Sequence, residues 1–305
     1  MRAVRFDEYG GPEVLHLTEV EEPHAGPGQV RVRVEAFSIN PMEYKIRSGS
    51  WSGGHPLTAP QGTARDVAGV VDEVGDGVSG FAVGDRVYGS AQNAAAEYAS
   101  LHAYAHIPSE LSFADAASLP MAIETAARAL DLVQAEPPAL ILMDGAAGGV
   151  GTAAVQLAVA RGYDVIGTAS EANHEYLRSL GATPTTYGEG LAQRVAALTT
   201  RHVDAAIDLQ GKGVLPALIA ITGDPSHVIT IVEFDAGPLG VQVTGGGGPF
   251  VHAWYVLDEV ARLIEEGRFR PGDVTVLPWT EIVRAHALLE DGHTRGKIVL
   301  QVASD

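Results

Sequence analysis

Gly145-Ala146-Ala147-Gly148-Gly149-Val150-Gly151 is the stretch on which the fold turns. The apolar run Ala139-Leu-Ile-Leu-Met143 precedes it. Val150, Ala153, Ala154, Leu157 and Ala158 follow at the i, i+3, i+4, i+7, i+8 spacing of one helix face. Glycines between a buried strand and a helix let the backbone turn tightly and approach a pyrophosphate, whose charge then meets the free N–H groups of the helix. The spacing is not the strict G-x-G-x-x-G form: Gly148 and Gly151 stand as its last two glycines, with Ala146 where the first would be. A plain tight turn is the structural alternative. Val165-Ile-Gly-Thr168 is the next strand, and strand, helix, strand within about thirty residues predicts a βαβ unit in a parallel sheet.

Outward from this unit the chain divides in character. Downstream, strands are predicted at 203–208, 228–232, 274–277 and 297–302, helices at 257–266 and 281–290, and a loop at 245–248. Upstream, 111–132 is alanine-rich and helical, interrupted at Pro120. The first hundred residues read as short strands. Val30-Arg-Val-Arg-Val34 alternates after the turn Gly26-Pro27-Gly28, and Val67-Ala-Gly-Val-Val71 precedes Gly75, Gly77, Gly80 and Gly84. Short strands with such punctuation predict a compact, barrel-like β domain.

A length of 305 residues suits two domains. The absence of cysteine from the sequence excludes disulfides, thiolate zinc sites, iron–sulfur ligation and cysteine nucleophiles. A net charge of −18 disfavours nucleic acid or an anionic membrane as partner, because phosphate binding needs a positive field. The first residues turn acidic before any apolar stretch, and no run has the apolar length of a spanning helix. A soluble cytoplasmic protein is expected.

The second strand of the βαβ unit ends Thr168-Ala169-Ser170, with Glu171 beyond. NAD sites usually place an acid here to hold the ribose 2′-hydroxyl. If Ala169 or Ser170 is the ribose neighbour, a 2′-phosphate is tolerated and NADPH is favoured; if Glu171 points inward, NADH is. Helix capping is the alternative duty of both Ser170 and Glu171. The expectation is NADPH with a modest preference over NADH.

Asn40-Pro-Met-Glu-Tyr44-Lys45-Ile-Arg-Ser-Gly49, Gly69-Val-Val-Asp-Glu-Val-Gly75, Gly84-Asp85-Arg-Val-Tyr-Gly89, Ala96-Glu97-Tyr98, Ala116-Ala-Ser-Leu-Pro120, Thr125-Ala126, the glycine turn and Gly296-Lys297-Ile-Val-Leu300 occur in that order. The ordered set resembles, nearly end to end, the zinc-free quinone-oxidoreductase (zeta-crystallin-like) branch of the medium-chain dehydrogenase/reductase superfamily. The resemblance implies an α/β Rossmann domain with a doubly wound parallel sheet at 116–251. It also implies a GroES-like β-barrel catalytic domain at 1–115 and 252–305, with the active site in the cleft between. It further implies NADPH-dependent hydride transfer to a small-molecule quinone or α,β-unsaturated carbonyl, in a homodimer.

Carried over residue by residue, the resemblance places Asn40 and Thr125 beside the nicotinamide. It places Gly148, Gly149, Val150, Gly151 and Ser170 on the cofactor, and Tyr187 near its 2′-phosphate. Tyr44 and Lys45 are the nearest candidate proton donors. Each has a structural alternative: a turn former for Asn40, a helix-backbone partner for Thr125, packing for Tyr44, an exposed loop aromatic for Tyr187. The chain also departs from its relatives. Ile39-Asn40 and Arg65-Asp66 stand where zinc members carry a cysteine and a histidine–acid pair, so no metal is expected. Gly49-Ser50-Trp51-Ser52 stands where enoyl-thioester reductases carry a tyrosine, and Ala172 where NADPH members often carry a lysine. His102 and His106 are expected at the surface. Two alternatives remain open: a tailoring reductase acting on a polyketide-like intermediate, and a catalytically idle NADPH-binding protein. A β-branched residue at Gly148 or Gly151 is expected to weaken cofactor binding while the fold survives.

Overall fold

A computed structural model describes residues 1–245, 251–292 and 296–302; residues 246–248 of the expected loop lie outside them. The chain forms two compact units, one of residues 1–121, 257–265 and 271–305, the other of 122–256 and 266–270.

The first unit opens with β1 (Arg2–Phe6), β2 (His16–Glu19), β3 (Val30–Ile39), helix α1 (Pro41–Arg47), β4 (Gln61–Gly62), β5 (Asp66–Val74), β6 (Arg86–Ala91) and β7 (Tyr98–His106). β3 pairs antiparallel with β5, β5 with β6, β6 with β7, and β7 returns to the start of β3, so the four strands close a ring. Ring closure removes the edges that open sheets leave exposed. The alternation read at Val30, Val32 and Val34 is the inward face of β3, and all three are buried with Val67, Val71, Val87 and Leu101. Gly89 faces the partner strand so closely that a Cβ there would stand 2.0 Å from the carbonyl oxygen of Ala103.

The alanine-rich segment forms α2 (Phe113–Ala117) and α3 (Pro120–Leu130), with Pro120 opening the second helix where its missing N–H costs nothing. The second unit then alternates β8 (Leu140–Asp144), α4 (Gly149–Ala160), β9 (Asp164–Thr168), α5 (His174–Ser179), β10 (Thr183–Thr185), α6 (Leu191–Leu198), β11 (Ala205–Asp208), α7 (Leu215–Thr222), β12 (Val228–Thr230) and β13 (Gln242–Val243). Its six-stranded sheet has the order β10-β9-β8-β11-β12-β13, parallel throughout. This is the doubly wound Rossmann order, with the switch point between β8 and β11. The helix α4 departs from its one-face pattern: residues 151–158 are all buried, so the helix is covered round its whole circumference.

The chain returns to the first unit with α8 (Val256–Glu265), β14 (Val274–Pro278), α9 (Ile282–Asp291) and β15 (Lys297–Gln301), the last pairing antiparallel with β3. On α9, His286 is fully buried with neither ring nitrogen hydrogen-bonded. Burial and the nearby Arg47 guanidinium push its pKa from 6.5 down to about 3. The imidazole is therefore neutral in the fold. Between those two values the unfolded chain takes up a proton that the folded one refuses, and stability falls as pH drops.

Replacing His286 by Leu removes this loss. The wild type is expected to lose up to about 1.4 kcal/mol more per pH unit than His286→Leu between neutral pH and pH 4, read from urea midpoints of the two proteins.

Candidate functional site

The carboxyl ends of β8, β9 and β11 converge on buried carboxylates. Asp144 accepts hydrogen bonds from the Thr168 hydroxyl at 2.6 Å and from the Gln210 side-chain amide. Burial, its largest influence, raises the Asp144 carboxyl above the usual range. Asp208 accepts from the backbone N–H groups of Gln210 and Gly211 at 3.1 and 2.9 Å and from Thr230 at 2.9 Å. These bonds hold the strand-end loops in shape without a ligand.

The glycine turn starts at Gly145, whose φ of +85° lies in the left-handed region that a side chain disfavours. Gly148 caps α4, so Gly149, Val150 and Gly151 are its first helical residues, whose N–H groups have no partner within the helix. A Cβ on Gly151 would stand 2.4 Å from the Gly145 carbonyl oxygen and 2.6 Å from backbone atoms of Ala146. A Cβ on Gly148 would meet nothing nearer than 3.4 Å. Gly151 is thus favoured by the packing of helix on turn, so a β-branched residue there is expected to cost stability as well as cofactor binding. Gly148 leaves open backbone.

Ser170 is half-buried and its hydroxyl accepts from the Asn173 side chain at 3.2 Å. Glu171 and Ala172 are exposed. Tyr187 is 46% exposed and lies on a cavity of about 570 Å³ lined also by Asp144, Glu189, Leu191, Gln210 and Lys212. The Lys212 ammonium sits 5.9 Å from the centre of the Tyr187 ring and makes no ion pair among the described residues. Sequence reasoning passed over Lys212, because a lysine in a loop after β11 carries no spacing signal.

Thr125 belongs to the same unit. Its hydroxyl reaches Glu124 at 3.4 Å and receives Arg128 at 3.5 Å, both long. Glu124 itself is buried, with Arg128 and His252 bonded to it at 2.9 and 3.0 Å.

Asn40 and Tyr44 belong to the barrel unit, on the cap and the body of α1. The Asn40 amide is held at both ends: its Nδ2 donates to Asp66 at 3.0 Å and its Oδ1 accepts from the Lys297 ammonium. Asp66, fully buried, also accepts from Ser38 at 2.7 Å, from the Met121 N–H at 2.8 Å and from Lys297 at 3.2 Å. One Nδ2–H of Asn40 is left, so the side chain keeps a donor to offer. Tyr44 is half-buried. Glu43, not singled out in the sequence, accepts the Asn40 backbone N–H at 2.8 Å; the Asn-x-x-Glu spacing of a capping box was its available signal.

Two family models divide the chain: "Alcohol dehydrogenase GroES-like domain" over residues 26–117 and "Zinc-binding dehydrogenase" over 180–300. They define the class, a barrel joined to a dinucleotide-type sheet in the manner of the alcohol dehydrogenases. The rat quinone oxidoreductase is 36% identical over 68% of this chain, and the match spans 65% of that protein's own length. The NADPH-dependent alkenal/one oxidoreductase of Arabidopsis thaliana chloroplasts is 30% identical over 98% of this chain and 79% of its own. The quinone oxidoreductase structure from Coxiella burnetii superposes with a TM-score of 0.83 at 32% identity, covering 99% of both chains. The chain belongs to the medium-chain dehydrogenase/reductase superfamily, with quinone oxidoreductases and enone reductases as its relatives.

The two glycines separate in experiment. Gly151→Val is expected to destabilise the protein by about 1–3 kcal/mol through overpacking. Gly148→Ala is expected to shift stability by under about 1 kcal/mol, since a poorer cap and a stiffer unfolded chain offset one another. Denaturant titration of both variants reads the difference.

Proposed function

We propose that this chain is an NADPH-dependent reductase of small quinones and α,β-unsaturated carbonyls, working by hydride transfer without a metal. The observation that carries the proposal is the glycine turn at the switch point of the parallel sheet, with open N–H groups at the start of α4 and the Tyr187–Lys212 cavity within the same unit. That set fits the cofactor. The α4 N–H groups of Gly149, Val150 and Gly151 would hold the pyrophosphate, with Gly148 leaving the approach clear, and Ser170 and Tyr187 would flank the ribose. Lys212 would supply the cation that Ala172 lacks for the 2′-phosphate. When bound, NADPH supplies the hydride. The named relative that is NADPH-dependent supports the same cofactor.

In this reading the two units are the catalytic barrel and the cofactor-binding domain, with Asn40 and Thr125 at the nicotinamide and Tyr44 near the acceptor. The one Asn40 N–H left over would polarise an acceptor carbonyl. Metal independence is supported by the donor set. The sequence has no cysteine, and the Asp66 carboxylate, in the segment where zinc members carry ligands, already receives Ser38, Asn40, Met121 and Lys297. A homodimer in the cytoplasm belongs to the same proposal on the strength of the resemblance. Among the described residues no helix is long and apolar enough to cross a membrane.

The central test is oxidation of NADPH by a panel of simple benzoquinones and enones, before and after prolonged phenanthroline treatment. Turnover that survives the chelator is expected; turnover with neither acceptor class, or loss restored by stoichiometric zinc, counts against the proposal.

Cofactor choice gives a second test. Lys212→Met is expected to weaken NADPH binding roughly tenfold while NADH binding stays put, since one charge-assisted bond to phosphate is removed. Dissociation constants for both cofactors in wild type, Lys212→Met, Tyr187→Phe and Glu171→Ala decide it. Should NADH bind tighter, with Glu171→Ala reversing the order, Glu171 is the ribose acid.

A further inference from the structure

The barrel unit holds a cavity of about 350 Å³, lined by Phe6, Ile46, Thr63, Arg65, Gln92 and Asn93 among other residues of the same unit. That size suits a small ligand. Two cations stand at or beside it without a counterion. Arg65 is half-buried in the wall. Arg5, half-buried on β1, pairs with Gly62 of β4, and a Cβ on Gly62 would stand 2.6 Å from the Arg5 Nη1 and 2.6 Å from the Asn93 Cβ. Among the described residues neither guanidinium makes an ion pair or a side-chain hydrogen bond, and the side-chain amides of Gln92 and Asn93 make no hydrogen bond either. The sequence carries 38 acidic side chains against 20 Lys and Arg, and the sheltered Arg31, Arg47 and Arg128 each hold a carboxylate. A half-buried cation left unpaired in so acidic a chain points to an anion supplied from outside.

The wall has a fixed shape. Among the described residues, those with positive φ other than glycine are Ala64 at +65° and Asn93 at +56°, and both line this cavity. A left-handed alanine is disfavoured by its own Cβ and persists only where its surroundings impose it; such residues cluster at ligand sites. Three backbone bonds impose it here. The Ala91 N–H donates to the Arg65 carbonyl at 2.9 Å, Ala94 to Ala64 at 3.0 Å and Ala95 to Thr63 at 3.1 Å, so the segments that carry Arg65 and Asn93 are tied together. Glu43 is the acid in the lining. Burial, its largest influence, pushes its carboxyl up to about 7, so below neutrality it opposes an anion little. Asp66, next to Arg65 in the chain, is already bonded to Lys297, Ser38, Asn40 and the Met121 N–H.

We propose that this cavity is a binding site for a small organic carboxylate, its two oxygens taken by the Arg65 guanidinium, with Arg5 and the Asn93 amide beside them and its carbon body against Phe6 and Ile46. The guanidinium fork matches the two oxygens of a carboxylate and gives a bidentate, charge-assisted pair. The apolar part of the wall favours an organic acid over inorganic phosphate, which has no apolar surface to bury there. Gly62 belongs to the site because any side chain on it would displace both Arg5 and Asn93. The site lies within one unit, and filling it requires neither cofactor nor turnover, so the inference stands apart from the reaction proposed above.

Benzoate is the probe and benzamide its neutral counterpart of the same shape, each titrated calorimetrically into the full chain at low salt and about pH 6, below the Glu43 value. Benzoate should bind saturably, and benzamide roughly tenfold more weakly or less tightly still. Arg65→Gln should weaken benzoate roughly tenfold, because charge and fork are lost while a donor remains. Arg65→Lys, which keeps the charge without the fork, should fall between. Arg178→Gln removes a positive charge from an exposed helix pair elsewhere and should leave the affinity unchanged. One readout needs no variant to fold: in wild type the Arg65 and Arg5 Nε–H resonances should move with benzoate, saturate together, and stay still with benzamide. Equal affinity for benzamide, undiminished benzoate affinity in Arg65→Gln, displacement of benzoate by an equal concentration of inorganic phosphate, or Nε–H signals that do not respond would overturn the assignment. No cofactor enters these titrations, so each such failure leaves the proposed reductase standing, and a failure of NADPH turnover leaves this site standing.

Discussion

Four donors converge on one buried carboxylate in the barrel unit: Ser38 from the end of β3, Asn40 from the cap of α1, the Met121 N–H from α3, and Lys297 from β15. A bare carboxylate in such a place would carry several kcal/mol of desolvation. Asp66 is tolerated because each oxygen is bonded and one donor brings a full charge. The arrangement ties strand, helix caps and the returning C-terminal strand to one point, and removal of Lys297 alone would leave an uncompensated buried charge. It also decides what Asn40 can do. With Oδ1 accepting from Lys297 and one N–H given to Asp66, the amide is fixed in orientation, and its remaining N–H is a donor it can offer to another molecule.

The second unit applies the same economy at its strand ends. Asp144 and Asp208 are buried at the carboxyl termini of β8 and β11, where neighbouring hydroxyls, amides and backbone N–H groups bond them. They organise the loops that carry Gln210 and Lys212, so the cavity beside Tyr187 is shaped by bonds internal to the unit. The turn at Gly145–Gly151 is held differently, by close backbone approach, which is why Gly151 has no room for a side chain and Gly148 does.

Much of the architecture was legible in the residues. The apolar run before the glycine turn, the strand at Val165 and the later strands at Ala205 and Val228 lie close to where periodicity put them, because a fully buried strand is a short unbroken apolar run. The breaker at Pro120 was equally plain. Other elements were silent. β1, β2 and β13 are short or half-exposed, and their residues show neither clean alternation nor an apolar run. The helix α4 misled in a specific way: its alanines, glycine, Thr152 and Gln156 let it be buried on every side, and a one-face pattern cannot report that.

The candidate site divides along the same line. Sequence alone determined the glycine turn between strand and helix and the absence of cysteine, because those depend on local backbone chemistry or simple composition; Asn40, Thr125 and Tyr44 were singled out by the resemblance. Only tertiary structure decided which charges meet. Lys297 lies 257 residues from Asn40, and Lys212 meets Tyr187 through loops following different strands. The buried, unpartnered oxygen of Glu43 is a property of packing around it. The physical reason is one of range. Turn and cap preferences act over a few bonds and are written into adjacent residues, whereas desolvation and ion pairing act through space, between groups that are neighbours only once the chain has folded.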